Sequence, residues 1–165
     1  MAIKKILIYP DQVLKEVSKE VTDFSSSELF SLVADLVDTM RASNGAGLAA
    51  PQIGVLLRAI AVDVTPKHPG RGLTVLINPV ITSSRGRKRG REGCLSVPEY
   101  TANIERAEEV TVQGLTAEGG STVITAAGFE AVAFQHEIDH LDGILFLDRI
   151  TNMKKDIFKR KIKDI

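Results

Sequence analysis

The stretch Gly128-Phe129-Glu130-Ala131-Val132-Ala133-Phe134-Gln135-His136-Glu137-Ile138-Asp139-His140-Leu141-Asp142-Gly143 decides how the chain is read. Ala131, Phe134, Ile138 and Leu141 fall on one stripe at helical spacing, and Phe129, Val132, Ala133, His136 and His140 fall on a neighbouring one. The spacing predicts a helix over residues 128–141 with its first stripe against a core and its second against a pocket. Within it, His136-Glu137-Ile138-Asp139-His140 is H-E-x-x-H. On a helix both imidazoles then lie on one face, a turn apart, where they can bind one cation together. Glu137, one position round from His136, is placed to reach a water activated by that cation, which is where a general base belongs.

Two imidazoles leave a catalytic metal site one protein ligand short. Zincin proteases take the third from a His or carboxylate downstream of the motif, but here Leu141, Asp142 and Gly143 follow and no histidine comes after His140. Cys94, the only cysteine, is the best remaining candidate. A thiolate with two neutral imidazoles suits iron(II), zinc, nickel or cobalt, and donor type does not choose among them. Two rivals stand beside this reading. A peptidase cleaving internal peptide bonds would use the same motif, but the downstream ligand is missing. A binding module with a structural metal would need four protein ligands, and neither a second cysteine nor a suitably placed third histidine is present.

Outward from this helix, Ser25 and Glu28 have capping-box spacing ahead of Leu29, Leu32, Val33, Leu36, Val37 and Met40, which predicts an N-terminal amphipathic helix stopped by Gly45 and Gly47. Residues 59–64 and 73–77 read as strands, and residues 110–115 and 121–125 as a hairpin around the paired glycines of residues 116–120. The basic run Arg85, Arg87, Lys88, Arg89 and Arg91 reads as a solvated hairpin tip. Residues 152–165, with Met153, Ile157 and Ile162 apolar among six Lys or Arg residues, read as a short C-terminal basic helix. His68, in a loop bounded by Pro and Gly, is given no role. The expected fold is α+β, with small antiparallel or mixed sheets around the H-E-x-x-H helix and a further helix at each end.

The 165 residues match one compact domain, expected to span 1–165, and 21 basic residues balance 21 acidic ones. That balance argues against broad nucleic-acid binding and specific DNA recognition. The first ten residues have neither the apolar region nor the cleavage site of a signal peptide, and the chain has no membrane-length apolar run. A single cysteine excludes an internal disulfide and fits a reducing compartment, so a cytoplasmic protein with no membrane partner is expected.

Two more motifs frame the cysteine and an earlier loop: Glu92-Gly93-Cys94-Leu95-Ser96-Val97-Pro98 and Gly45-Ala46-Gly47-Leu48-Ala49-Ala50-Pro51-Gln52-Ile53-Gly54. With Gln135-His136-Glu137-Ile138-Asp139-His140-Leu141-Asp142-Gly143, and in this order, they closely resemble the three motifs of the bacterial-type peptide deformylases. The resemblance runs from near Tyr9 to about Arg149. It implies a metallohydrolase that removes the formyl group from N-terminal formylmethionine of nascent chains, releasing formate. By the same resemblance Cys94, His136 and His140 hold the metal, iron(II) being favoured, and Glu137 shuttles protons. Gln52 and the backbone N–H of Leu95 bind the oxyanion. A neutral amide and a main-chain N–H are sound donors for the charge that develops when water attacks a formamide.

The resemblance further implies that an extended substrate pairs along Gly45, Ala46 and Gly47, and that Phe129, Val132 and Ala133 line the pocket for the methionine side chain. Glu92 and Arg106 resemble an ion pair that braces the cysteine loop. Thr101 stands where some members carry an arginine that helps hold the peptide. A similar C-terminal extension is associated in the family with docking to the ribosome, which makes the ribosome an expected partner of residues 152–165.

Overall fold

The computed structural model describes residues 2–160. Two α-helices, α1 (Ser27–Ala42) and α2 (Gly128–Leu141), accompany eight strands: β1 (Gly47–Ala49), β2 (Ala59–Val62), β3 (Thr74–Arg85), β4 (Lys88–Cys94), β5 (Val97–Arg106), β6 (Glu109–Leu115), β7 (Ser121–Ala127) and β8 (Ile157–Lys159). One sheet has the order β1-β2-β3-β6-β7 and the other β4-β5-β8. All strand pairs within them are antiparallel, and the single parallel contact among the described residues is an isolated bridge between Lys19 and Leu57.

The larger sheet is the middle of a three-layer sandwich. Along β2, Ile60 and Val62 pack with Phe134, Ile138 and Leu141 of α2, while Ala59 and Ala61 pack with Leu32, Leu36 and Met40 of α1. Alternate residues point to opposite faces of a strand, so a strand covered by a helix on each side is apolar throughout. Each large side chain buried this way contributes about 1.5–3 kcal/mol. The smaller sheet lies across α2 and forms its own cluster from Cys94, Val97, Ala102 and Ile104, with Leu14, Leu145 and Phe146.

Helix α2 has the predicted bounds. Eleven of its 14 residues are buried, so its polar side chains must find partners inside. It ends at Gly143, whose φ is +71° and whose missing Cβ leaves room for the Lys15 carbonyl. Both facts require glycine there.

Several expectations need correction. The cap of α1 is Ser26, whose side chain accepts from the Leu29 N–H at 3.2 Å, while Ser25 bonds Asp23 instead. The helix is stopped by Asn44, in the left-handed region at φ 55°, after which the Gly45 N–H returns to the Met40 carbonyl. Gly45 and Gly47 come after the stop, and Gly47 opens β1. The basic run is no hairpin tip: β3 and β4 belong to different sheets, and the chain crosses between them at Gly86 (φ 73°) and Arg87.

The expected C-terminal helix is contradicted in its described part. Asn152 accepts from the N–H groups of Lys154 and Lys155, one turn forms, and residues 157–159 then pair with β5 as strand β8. Its apolar residues are too sparse to hold a short helix, whereas the edge of β5 offers unpaired backbone. Arg89 closes on buried Asp156 at 2.6 Å, and Arg91 lies over the Phe158 ring, so the basic run holds the strand in place. The helical arm that was to dock on the ribosome is thus absent from residues 152–160, and residues 161–165 lie outside the described residues.

Candidate active site

Helix α2 carries His136 and His140 on the face turned toward the smaller sheet. Antiparallel pairing of Cys94 with Val97 closes a tight turn over Leu95 and Ser96 and brings the thiol up against that face. Cys94 Sγ lies 3.4 Å from His140 Nε2, and the candidate ligand atoms of Cys94, His136 and His140 are all within 4.8 Å of one another. All three residues are buried.

The surroundings set the two imidazoles in opposite directions. Nδ1 of His136 is 2.9 Å from Glu92 Oε1, which fixes the tautomer and leaves Nε2 free to ligate. Burial, with His136 and Arg106 close by, holds His140 well below the ordinary imidazole value, so it is neutral with an available lone pair. His136 is pushed the other way: its burial is outweighed by its bonds to Cys94 and Glu92, so a cation binding there must displace a proton from its ring. One sulfur and two imidazoles brought this close together are a donor set that fits a divalent ion of the first transition row.

Glu137 is buried beside this cluster, and its Oε1 has no hydrogen-bond partner among the described residues. Burial, opposed by His136 and aided by Glu92, raises its carboxyl from 4.5 to about 7. A carboxyl that titrates near neutrality can take up and return a proton at little cost. Its space is provided by Gly47, since a Cβ there would stand 2.6 Å from Glu137 Oε2. A Cβ on Gly45 would meet Leu95 Cδ1 at 2.8 Å. These two glycines are therefore steric requirements of the site, a role that their sequence positions alone did not reveal.

Gln52 sits in the 3-10 turn Ala50–Ile53 directly after β1. The Ala49 N–H donates to its Oε1 at 3.0 Å, which turns Nε2 toward Ser96 Oγ at 3.1 Å and Cys94 Sγ at 3.6 Å. The amide is thereby oriented with its donor facing the sulfur. Gln52, Leu95, Glu137 and the segment Gly45-Ala46-Gly47 all line a cleft of about 530 Å³, and Phe129, Val132 and Ala133 form its α2 wall. Phe129, Val132 and Glu92 also line an adjoining cavity of about 770 Å³.

Glu92 and Arg106 are buried and doubly bonded, at 2.8 and 3.0 Å, unlike an exposed surface pair. Arg106 also binds Asp139 at 2.6 Å, and Arg149 grips the same carboxylate at 2.5 and 2.7 Å. A chain of charge thus runs from His136 through Glu92, Arg106 and Asp139 to Arg149. Gln135 adds a reciprocal pair of 3.0 Å bonds with the Ala107 backbone, fixing the helix to the end of β5. Sequence reasoning missed Asp139, Arg149 and Gln135. The available signal was polar residues on both sides of a helix whose apolar stripe already faced a core.

This chain of charge makes stability depend on acid. Burial pushes the Glu92 carboxyl up, but the bonds from His136 and Arg106 prevail and lower it from 4.5 to about 2. A depressed carboxylate stabilises the fold above the unfolded value and loses that contribution as pH falls from 4.5 toward 2. In chelator-treated protein, unfolding free energy should fall by about 2–3 kcal/mol more between pH 5 and 2.5 in the native sequence than in Glu92→Gln. Denaturant titration at each pH measures this, and parallel curves would refute the linkage.

Two further residues have defined surroundings. His68, given no role, stacks on Phe129 with ring centroids 4.1 Å apart. Thr101 lies on β5 opposite Phe158, and its Oγ1 accepts from Arg91 at 3.4 Å.

The family model for polypeptide deformylase matches residues 3–156. A peptide deformylase of Thermodesulfovibrio yellowstonii is 47% identical over 163 residues, covering 99% of this chain and 98% of that protein. Among solved structures, a peptide deformylase from Legionella pneumophila is 44% identical with a TM-score of 0.86, the match covering 93% of this chain and 89% of that one. A class I type b peptide deformylase from Acinetobacter baumannii, solved bound to Met-Ala-Ser, is 36% identical with a TM-score of 0.85, covering 90% of this chain and 99% of that one.

Proposed function

Because the chain belongs to the polypeptide deformylase family and is a metal-dependent hydrolase that releases formate from N-formylated polypeptides, we propose that Cys94, His136 and His140 hold its ion while Glu137 and Gln52 handle the proton and the developing charge. The observation that carries this reading is the meeting of three buried ligand residues, their ligand atoms within 4.8 Å of one another, two of which, Cys94 and His136, line the cleft that Glu137 and Gln52 also line. A divalent ion held there supplies Lewis acidity, drawing electron density from a carbonyl and lowering the pKa of a water. Iron(II) is the native ion in this reading, with zinc, nickel and cobalt able to replace it at the same donors.

Each protein group has a defined task. Glu137 accepts one proton from the attacking water and delivers it to the nitrogen of the departing amine, so formamide and water become formic acid and a free N-terminus. Gln52 Nε2 and the Leu95 N–H donate to the formyl oxygen as it becomes an anion. Edge strand β1, paired only with β2 in its sheet, and the residues Gly45 and Ala46 leading into it line the cleft where an extended peptide would pair, the Gly45 N–H and the Ala46 carbonyl being already bonded to Met40 and Asp63. That the Acinetobacter baumannii relative binds Met-Ala-Ser supports a methionine-led peptide as the ligand class here, and this reading places the methionine toward Phe129, Val132 and Ala133. Among the described residues, no helix is long and apolar enough to cross a membrane. A functional thiolate needs a reducing medium, so the reaction is assigned to the cytoplasm.

Anaerobically purified protein should release formate from formyl-Met-Ala-Ser in proportion to bound metal, and should yield no new amines from casein. New amines from casein without formate would establish the peptidase instead.

A further inference from the structure

The mouth of the cleft carries a charge that the reaction does not use. Lys67 from the loop after β2, Arg91 from β4 and Arg160 after β8 all line it. The only carboxylates lining the same cleft are Glu92 and Glu137, both buried, and Glu92 is committed to Arg106 and His136. Among the described residues none of the three cations is in an ion pair. Arg91 lies 3.6 Å over the Phe158 ring and makes long 3.4 Å contacts with neutral Asn103 and Thr101. The whole chain is neutral, so this surplus is local.

Arg160 is the most closely placed. Its backbone N–H is bonded to the Glu99 carbonyl at 2.8 Å, and its guanidinium occupies the space that a Cβ on Gly93 would fill, one residue before Cys94. It is half-buried, whereas Lys67 is exposed. A partly desolvated, planar guanidinium is screened less than an exposed ammonium and matches a carboxylate with two parallel bonds.

We propose that this cationic mouth makes the enzyme select formylated polypeptides with Asp or Glu side chains soon after the N-terminal methionine, with Arg160 as the specificity-determining residue. The proposal rests on the deformylation reading above. An extended peptide held along β1 with its formyl group at the metal cluster leads its later residues out through the mouth, where their side chains meet the three cations. Interaction made equally in the bound and transition states lowers KM and leaves kcat unchanged.

The test uses metal-replete enzyme and C-terminally amidated formyl-Met-Ala-Xaa-Ala peptides, with Xaa as Asp, Ser or Lys. In low salt kcat/KM should rank Asp over Ser over Lys, the difference residing in KM and shrinking in 0.5 M salt, roughly as Debye screening dictates. Arg160→Ala should lower the Asp-to-Lys ratio about three- to fivefold, the scale of one exposed ion pair, a ratio that a common change in turnover does not move. Lys67→Ala, in a separate loop, should lower it by a smaller factor, and Arg160→Glu should favour Lys. Equal rates for Asp and Lys peptides, or a ranking that survives both Arg160→Ala and Lys67→Ala, would overturn the proposal. So would discrimination seen only in unamidated peptides, which would assign the cations to the terminal carboxylate. Absence of formate from the Ser peptide would remove the deformylation reading and this proposal with it.

Discussion

Replacing Glu137 by Gln is expected to lower kcat about a thousandfold while metal content and fold are retained. General acid–base groups contribute on the order of 10²–10⁴-fold. The substitution keeps the shape that fits against Gly47, where clearance is only 2.6 Å to a hypothetical Cβ, so packing is not disturbed. It removes the group that transfers the proton and leaves the three donors untouched. Thermal stability should hold or rise slightly, because a buried carboxyl raised to about 7 destabilises the fold whenever it is ionised and an amide does not. Metal analysis, a melting curve and formate release on one preparation separate these effects. Turnover within fivefold of the native enzyme would show that the proton moves by another route, and lost metal would make Glu137 a ligand.

The second large effect is expected from Cys94→Ala. The thiolate is the only anion among the three donors, and removing it leaves two neutral imidazoles for a divalent ion. Altering groups that merely support metal ligands commonly costs 10–100-fold in affinity, so loss of a donor should cost at least about 100-fold. After dialysis the variant should be nearly free of metal, with formate release falling in proportion. The fold should persist, because the side chain lost is small and the surrounding cluster contains Val97, Ile104, Leu145 and Phe146. Peroxide should act on the native enzyme in the same way, since an oxidised sulfur is no longer a thiolate donor. Stoichiometric metal in the alanine variant, together with full activity, would remove Cys94 from the site.

Both predictions depend on residues that could be picked out from the chain, although their arrangement could not be. Helix α2 was legible because Gly128 and Gly143 bracket it and H-E-x-x-H marks it, although burial on nearly every side blurs its apolar stripe. The hairpin of β6 and β7 was legible for the same local reason, its paired glycines lying between alternating strands. The C-terminal segment misled because its pattern is weak and a distant strand edge claimed it. The basic run misled because two of its arginines serve that same strand. Asp139 lay inside the best-read motif and still went unnoticed, since its partners Arg106 and Arg149 are contacts that no local pattern encodes.

By itself the amino-acid order determined the helix, its two histidines on one face, the proton-transfer candidate between them and the types of donor available. These follow from helical geometry over a few residues, where neighbours along the chain are neighbours in space. Only the tertiary structure decided that a sulfur 42 residues upstream of His136 reaches the imidazoles, that Glu92 and Arg106 are buried, that Gly47 makes room for Glu137, and that Arg160 stands at the mouth of the cleft. Those juxtapositions arise from strand register and the packing of two sheets on one helix, which bring together residues whose separation along the chain carries no periodic trace.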